Sequence, residues 1–523
     1  MTVDPATAPF PGAASYPKVT HLGALLLAQL ATRPGATALQ QVDGATWSWA
    51  RLGEEVAAIQ SGLASRGIRP GQHVAIVCEN SLRAAAAHLA VIAFGAIVIP
   101  VNTALMGAGL AHVLNHGDAA LLIADPSLLP RCLGAAPAFR DAKAVATDDA
   151  AWTAAFPPTA DPPRVQGEGG AAPAMILYTS GTTGDAKGAI LSHTAWLTAA
   201  WASAAVMLEA QPGDVIYTSL PLFHCAAHQL ALWTALLSGA SVVLAPHFSA
   251  SAFWSHMRRY HVKAFLFVGP VTSILWNAPP APGDRDQPAR IAVGGGPRVA
   301  WREFEDRFNL TFVECYGMTE WAGGCITHRP GQARSGRAGK ALDYVEMITV
   351  DETMQPTPPG IPGEILLRPR RPNVMFSGYY KRPDLTAAAL HDGWYRTLDI
   401  GTIDAEGYLT FAARKRDIIR RRGENVSAAE VDAVLATHPD ISECAVVGVP
   451  AELGEEDILA VVVPKQESLD LASVVAHASA HLPFFAVPRF FATAPSLPKT
   501  ATSRVQRHLL RPLLHGAIDR IAP

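Results

Sequence analysis

The sequence predicts an α/β protein: a large N-terminal α/β domain with sheets flanked by helices, then a small, mobile α+β domain. Three observations carry this. Short apolar runs of strand length alternate with amphipathic helical stretches, the pattern of parallel strands joined through helices. The chain has 523 residues, 49% apolar and 17% charged, more than one hydrophobic core usually serves. Beyond Arg414 the alternation starts afresh, with about a hundred residues left, enough for a small unit of its own.

Each element follows in order. The opening MTVDPATAPFPGAASYPK has neither a basic start nor an apolar core, so it reads as a loosely draped tail and no secretory signal is expected. Ser48 can cap a helix whose Leu52, Val56, Ile59 and Leu63 share one face, with Gly67 ending it. VAIVC at 74–78 reads as a buried strand. The most apolar run, 84–101, approaches the length of a membrane span. His88, Gly95 and Pro100 interrupt it, so a buried helix passing through Gly95 into a buried strand is predicted, and no transmembrane segment. Residues 156–173 and 278–288 are loops by composition. SVVLAP, AFLFV and RIAV, starting at 241, 264 and 290, are further buried strands. The boundary falls at Arg414-Lys415-Arg416-Asp417. It gives an N-terminal domain over 1–414, a hinge at 415–416 and a C-terminal domain over 417–523. The latter runs as a strand (DIIRR), a turn at Gly423, a helix from 427 to 436, then the strands ECAVVGV and ILAVVVP.

Composition excludes several functions. A net charge of −3 and a pI near 6.7 argue against nucleic acid as a partner. Six scattered cysteines without a C-x-x-C pair form neither a disulfide framework nor a zinc site, and suit a reducing cytoplasm.

The strongest chemical signal is Tyr178-Thr179-Ser180-Gly181-Thr182-Thr183-Gly184-Asp185-Ala186-Lys187-Gly188, after the apolar strand AMIL. Glycines let backbone approach a ligand closely. Hydroxyls and N–H groups can cradle a polyphosphate, and Lys187 adds a charge. The spacing is not that of a Walker A loop.

This stretch resembles the phosphate loop of the adenylate-forming superfamily, which includes acyl-CoA synthetases, standalone adenylation domains and firefly luciferase. The family pattern is T-S-G-T-T-G-x-P-K-G, with Ala186 here in place of proline. The resemblance extends over nearly the whole chain and is nearest to the crotonobetaine/carnitine–CoA ligase branch. It implies that Thr179, Ser180, Gly181, Thr182, Thr183, Gly184 and Lys187 bind ATP phosphates, with Thr179 and Lys187 taking part in catalysis. In Tyr316-Gly317-Met318-Thr319-Glu320 it implies that Tyr316 lies against adenine, Thr319 contacts the α-phosphate and Glu320 reaches Mg²⁺. Gly294-Gly295-Gly296-Pro297 would pack on the base. In Trp394-Tyr395-Arg396-Thr397-Leu398-Asp399, Asp399 would accept from the ribose hydroxyls. Leu398 replaces the usual glycine, so a different turn is expected there. Arg414 would bind ribose and Arg416 would be the hinge. Gly423, Glu424 and Asn425 would line the coenzyme A tunnel, with Arg420, Arg421 and Arg422 set to meet its phosphates or forming a plain basic turn. His224 of Leu220-Pro221-Leu222-Phe223-His224, with Gly317, would border the acyl pocket; amino-acid-activating relatives carry Asp there. A betaine substrate would need a cage for its cation; Trp233 and Trp321 are candidates, or are simply core.

The last motif departs from the family. Leu497-Pro498-Lys499-Thr500-Ala501-Thr502-Ser503-Arg504-Val505 places Arg504 where the catalytic lysine stands, and Ser503 replaces its glycine neighbour. Lys499 matches another position of the motif. Arginine keeps the charge but changes its shape. Arginine greatly outnumbers lysine in this chain, so the exchange alone does not signal a new activity. The resemblance therefore implies a carboxylic acid–CoA ligase using ATP, Mg²⁺ and coenzyme A on a small carboxylic acid, through an acyl-adenylate. Two alternatives stay open: an acyl-AMP ligase feeding a carrier protein, and a non-catalytic nucleotide- or acyl-binding homologue. A homodimer is left open as well.

Overall fold

The computed structural model describes residues 16–140, 143–179, 186–296, 299–414, 418–421, 424–451, 456–466, 469–499 and 505–520; for Pro270, Arg414, Ile418, Arg420, Glu424 and Asn425 the backbone alone is described. The predicted tail at 1–15 lies outside them.

The chain divides into two compact units, residues 1–346 with 368–394, and residues 347–367 with 395–523. The first unit holds two large sheets. One has six strands, in the order Ala144–Ala146, Ala119–Ala124, His73–Val77, Ile97–Pro100, Pro173–Thr179, Lys187–Ser192. Its neighbours are parallel except the last pair, which forms a hairpin. The other has nine strands. A parallel centre runs through Thr311–Met318, Ile291–Gly295, Ala264–Val268, Val215–Thr218, Ser241–Leu244 and Thr37–Gln41, with antiparallel strands at both edges.

Local rules place these elements. Ser48 accepts from the Arg51 N–H and starts the Trp49–Ser65 helix, which buries Leu52, Val56, Ile59 and Leu63. Ser81 caps Leu82–Ala93 likewise. The apolar 84–101 run splits as predicted into that helix and the strand Ile97–Pro100, with Gly95 at φ 79 between them. Among the described residues no helix is long and apolar enough to cross a membrane. A core of Phe253, Phe265, Phe304, Phe308 and Phe312 fills one side of the nine-stranded sheet.

The second unit begins with the antiparallel strands Gly363–Pro369, Trp394–Ile403 and Leu409–Arg414. A hairpin of Ile418–Arg421 and Glu424–Ser427 follows. Ser427 then caps the Ala428–Ala436 helix, and a four-stranded sheet opens with Ile441–Pro450 against Glu456–Pro464. From Ile418 onward the strands and the helix are those read from the sequence; the turn expected at Gly423 lies outside the described residues.

Candidate active site

The two strands flanking the phosphate segment pair so that Thr179 faces Lys187. Ser180, Gly181, Thr182, Thr183 and Gly184 lie outside the described residues. The Lys187 Nζ donates to the Tyr379 hydroxyl at 2.7 Å. That hydroxyl donates to Glu320 Oε1 at 2.5 Å, and Lys187 stands 4.0 Å from the same oxygen. Burial pushes the Lys187 ammonium down, and the Glu320 charge opposes this. The phenol thus sits between the two charges that sequence reasoning assigned to phosphate and metal. Tyr379 was not singled out from sequence; its neighbour Gly378, at φ 138, is the local sign of a special backbone.

Tyr316, Gly317, Thr319 and Glu320 lie at the end of Thr311–Met318 and in the single turn Thr319–Trp321 that follows. The partner strand Gly323–Thr327 comes very close: a Cβ on Gly317 would meet the Gly323 carbonyl at 1.9 Å. Buried Gln229 fixes that strand, accepting from the Gly324 N–H at 2.6 Å and donating to its carbonyl at 2.8 Å. Glu320 is 5% exposed, and its carbonyl accepts from the Phe376 N–H at 2.7 Å. The Cys225 thiol meets the Thr319 hydroxyl, and burial pushes this thiol up to about 11.

Gly294, Gly295 and Gly296 close the Ile291–Gly295 strand as predicted; Pro297 lies outside the described residues. Gly294 has no room for a side chain, because its Cβ would meet the Phe267 carbonyl at 2.0 Å. Gly296, at φ 63, opens onto empty space instead, and its N–H donates to Glu314 at 3.3 Å. Burial raises the Glu314 carboxyl to about 7.

Asn80 shapes the turn before His224. It is buried, donates to the Leu220 and Ala245 carbonyls, both at 3.0 Å, and accepts from the Leu222 N–H at 2.9 Å. The His224 N–H donates to the Pro221 carbonyl, and its ring lies 4.8 Å from that of Phe223. Trp233 and Trp321 are each 1% exposed, so both are core.

In the second unit, Asp399 is 4% exposed and stands opposite Arg414 in register. The turn before it is corrected by the structure. Leu398 itself takes the left-handed conformation, φ 57, with its side chain 53% exposed. The backbone form that favours glycine is kept, at a cost in strain. Arg421 is also corrected. It is 3% exposed, donates to Asp457 at 2.8 Å and to the Phe485 and Val487 carbonyls, and so is a structural ion pair. Lys499 donates to Glu443 at 2.6 Å. Gly423, Arg416 and Arg504 lie outside the described residues, as do the side chains of Arg414, Glu424 and Asn425.

Residues 26–380 match the AMP-binding enzyme family and residues 430–504 its C-terminal domain. The chain belongs to the AMP-binding enzyme family. Among its relatives is a sulfoacetate–CoA ligase from Cupriavidus necator, 32% identical over 93% of this chain and 96% of the relative. A crotonobetaine/carnitine–CoA ligase from Salmonella paratyphi C is 30% identical over 89% and 93%. The solved structure of ATP-bound MatB from Rhodopseudomonas palustris superposes with a TM-score of 0.85 at 26% identity, covering 94% of this chain and 98% of that one. This AMP-binding enzyme is therefore an adenylate-forming protein of the acyl-CoA synthetase type, as its motifs implied. Its site suits nucleotide: backbone glycine beside open space, a lysine, and one buried carboxylate. Among the described residues no group of three His, Cys, Asp or Glu could hold a metal alone. Glu320 is the carboxylate that could hold Mg²⁺, with phosphate oxygens completing the ion's shell.

Proposed function

We propose that this enzyme is an ATP-dependent ligase that joins a small carboxylic acid to coenzyme A through an acyl-adenylate. The Lys187–Tyr379–Glu320 chain is the observation that supports it most. It brings a cation and a carboxylate to one phenol at the foot of the phosphate segment, where a polyphosphate and its ion need both signs of charge. Bound Mg²⁺ would neutralise phosphate charge beside Glu320. Tyr316 and Gly295–Gly296 would face adenine, with Pro297 beside them, while Asp399 and Arg414 would hold ribose. Thr319 would orient the α-phosphate as the substrate carboxylate attacks it and pyrophosphate leaves. Arg504 would stabilise the charge of that step. Rotation of the C-terminal domain (417–523) about Arg416 would then bring Gly423, Glu424 and Asn425 to coenzyme A, whose thiol displaces AMP. His224 and Gly317 would border the acyl group. Relatives named for sulfoacetate and for crotonobetaine or carnitine support small acids as the first candidates. The proposed setting is the cytoplasm; no disulfide joins any of the six cysteines.

Pyrophosphate release tests this, measured with MgATP and a panel of carboxylic acids, on the native chain and Arg504→Lys in parallel. Native release with at least one acid, and acyl-CoA formed once coenzyme A is added, is the expected result. Acyl-AMP without acyl-CoA would move the activity to a carrier-protein ligase. A silent native chain that lysine restores would mean that Arg504 has ended adenylation, and the ligase reading would fail.

A further inference from the structure

We infer that His112 and His116 are positioning residues for Thr179 and Lys187, holding both flanks of the phosphate segment from outside the nucleotide site. This rests on the ligase reading, in which those two residues meet ATP. The histidines lie one turn apart on the Gly107–His116 helix, with ring centroids 5.0 Å apart. His116 Nδ1 is 2.7 Å from the Tyr178 hydroxyl. His112 Nε2 is 2.8 Å from the Ala186 carbonyl. Tyr178 immediately precedes Thr179, Ala186 immediately precedes Lys187, and Thr179 and Lys187 face each other across the hairpin. One helix face thus grips both strands at the points where they deliver their functional side chains.

The proton positions follow from the partners. A carbonyl only accepts, so His112 carries its hydrogen on Nε2. Burial keeps the Tyr178 phenol protonated and favours the neutral form of His116, so the bond joins two neutral groups that share one proton between Nδ1 and the hydroxyl. The helix end is itself anchored to the segment that carries Tyr379. Asp118 accepts from the Tyr380 hydroxyl at 2.8 Å and pairs with Lys381 at 2.5 Å, while the Tyr380 N–H donates to the Gly188 carbonyl at 2.8 Å. Thr179, Lys187 and Tyr379 therefore share one external brace.

Losing one such hydrogen bond loosens a strand flank without removing any group that meets ATP. The test is steady-state pyrophosphate release by the full chain, with ATP affinity measured in parallel by calorimetry. His112→Leu and His116→Leu are compared with His112→Gln and His116→Asn, whose amides reproduce the Nε2 donor and keep a hydrogen-bonding group at Nδ1. The leucine variants should raise KM and Kd for ATP about three- to tenfold, the range one hydrogen bond accounts for, with kcat within twofold. The amide variants should recover most of the affinity. A purely structural role would lower the melting temperature and leave KM alone. Unchanged ATP affinity in folded leucine variants, or no recovery with the amides, would overturn the inference. A native chain that binds ATP but activates no acid would sink the ligase reading and leave the affinity comparison standing. A native chain that binds no ATP would overturn both.

Discussion

At Tyr379, one hydroxyl separates a cation from an anion. Lys187 and Glu320 are already 4.0 Å apart. Without the phenol between them they would close into a direct ion pair and compete with the phosphate and metal ion each is proposed to serve. Hydrogen bonds to charged groups contribute about 1.5–3 kcal/mol. Tyr379→Phe should therefore lower kcat/KM for MgATP at least tenfold in a pyrophosphate-release assay; a change under twofold would show that the bridge is incidental. Leu398 poses a simpler question of backbone. A non-glycine residue in the left-handed region costs about 1–2 kcal/mol, and glycine gives back part of that through the freedom of its unfolded chain. An exposed side chain loses little packing when removed, so Leu398→Gly should stabilise the second unit by about 0.5–1 kcal/mol net. Calorimetric melting would show it, and an unchanged or lower transition would mean that Leu398 makes compensating contacts.

The elements follow local rules, and that is why they were legible. Ser48 begins a helix because its hydroxyl satisfies the Arg51 N–H three residues on, and the apolar pattern of 52–63 places the buried face. The glycines at 294–296 and the Thr319–Glu320 turn lay where short motifs put them. What sequence did not show is how the motifs are held. Gln229 reaches Gly324 across 95 residues, Asn80 reaches Leu220 across 140, and Tyr379 reaches Lys187 across 192. No periodicity or spacing encodes a side chain that bonds remote backbone. The close approach of Gly317 to the Gly323 carbonyl depends on Gln229 seating the second strand. Gln229→Leu would leave the buried Gly324 N–H and carbonyl without it, at a cost of about 2–3 kcal/mol. The urea midpoint should fall accordingly, and adenylation should weaken with it because Tyr316–Met318 occupy the facing strand and lead into the Thr319–Glu320 turn. A variant as stable as the parent would show that another group takes over the Gly324 backbone.

For the whole molecule, acid is the condition under which the fold should weaken, and buried imidazoles are the reason. His88 is 2% exposed; its Nδ1–H donates to the Ala84 carbonyl at 2.7 Å, and burial pushes it down to about 4. Burial pushes His193 to about 3, and His228, fully enclosed, lower than its ordinary value as well. In the unfolded chain each titrates near 6.5. The native values lie below that, so the stability these groups contribute is intact above about pH 6.5 and is lost as pH falls towards 4, while the unfolded chain alone takes up protons. His88 by itself represents about 3 kcal/mol over that span. Glu314 works in the opposite direction. Burial holds its carboxyl near 7, so its native form keeps a proton that the unfolded chain releases above about 4.5, and its contribution is lost as pH rises between those values. Three histidines outweigh one carboxyl, so the urea midpoint should drop between pH 7 and pH 5. His88→Asn, which keeps a donor for Ala84 but cannot titrate, should flatten that drop by about one proton. Glu314→Gln should steepen it. If both variants follow the parent's pH dependence, the acid sensitivity arises elsewhere in the chain.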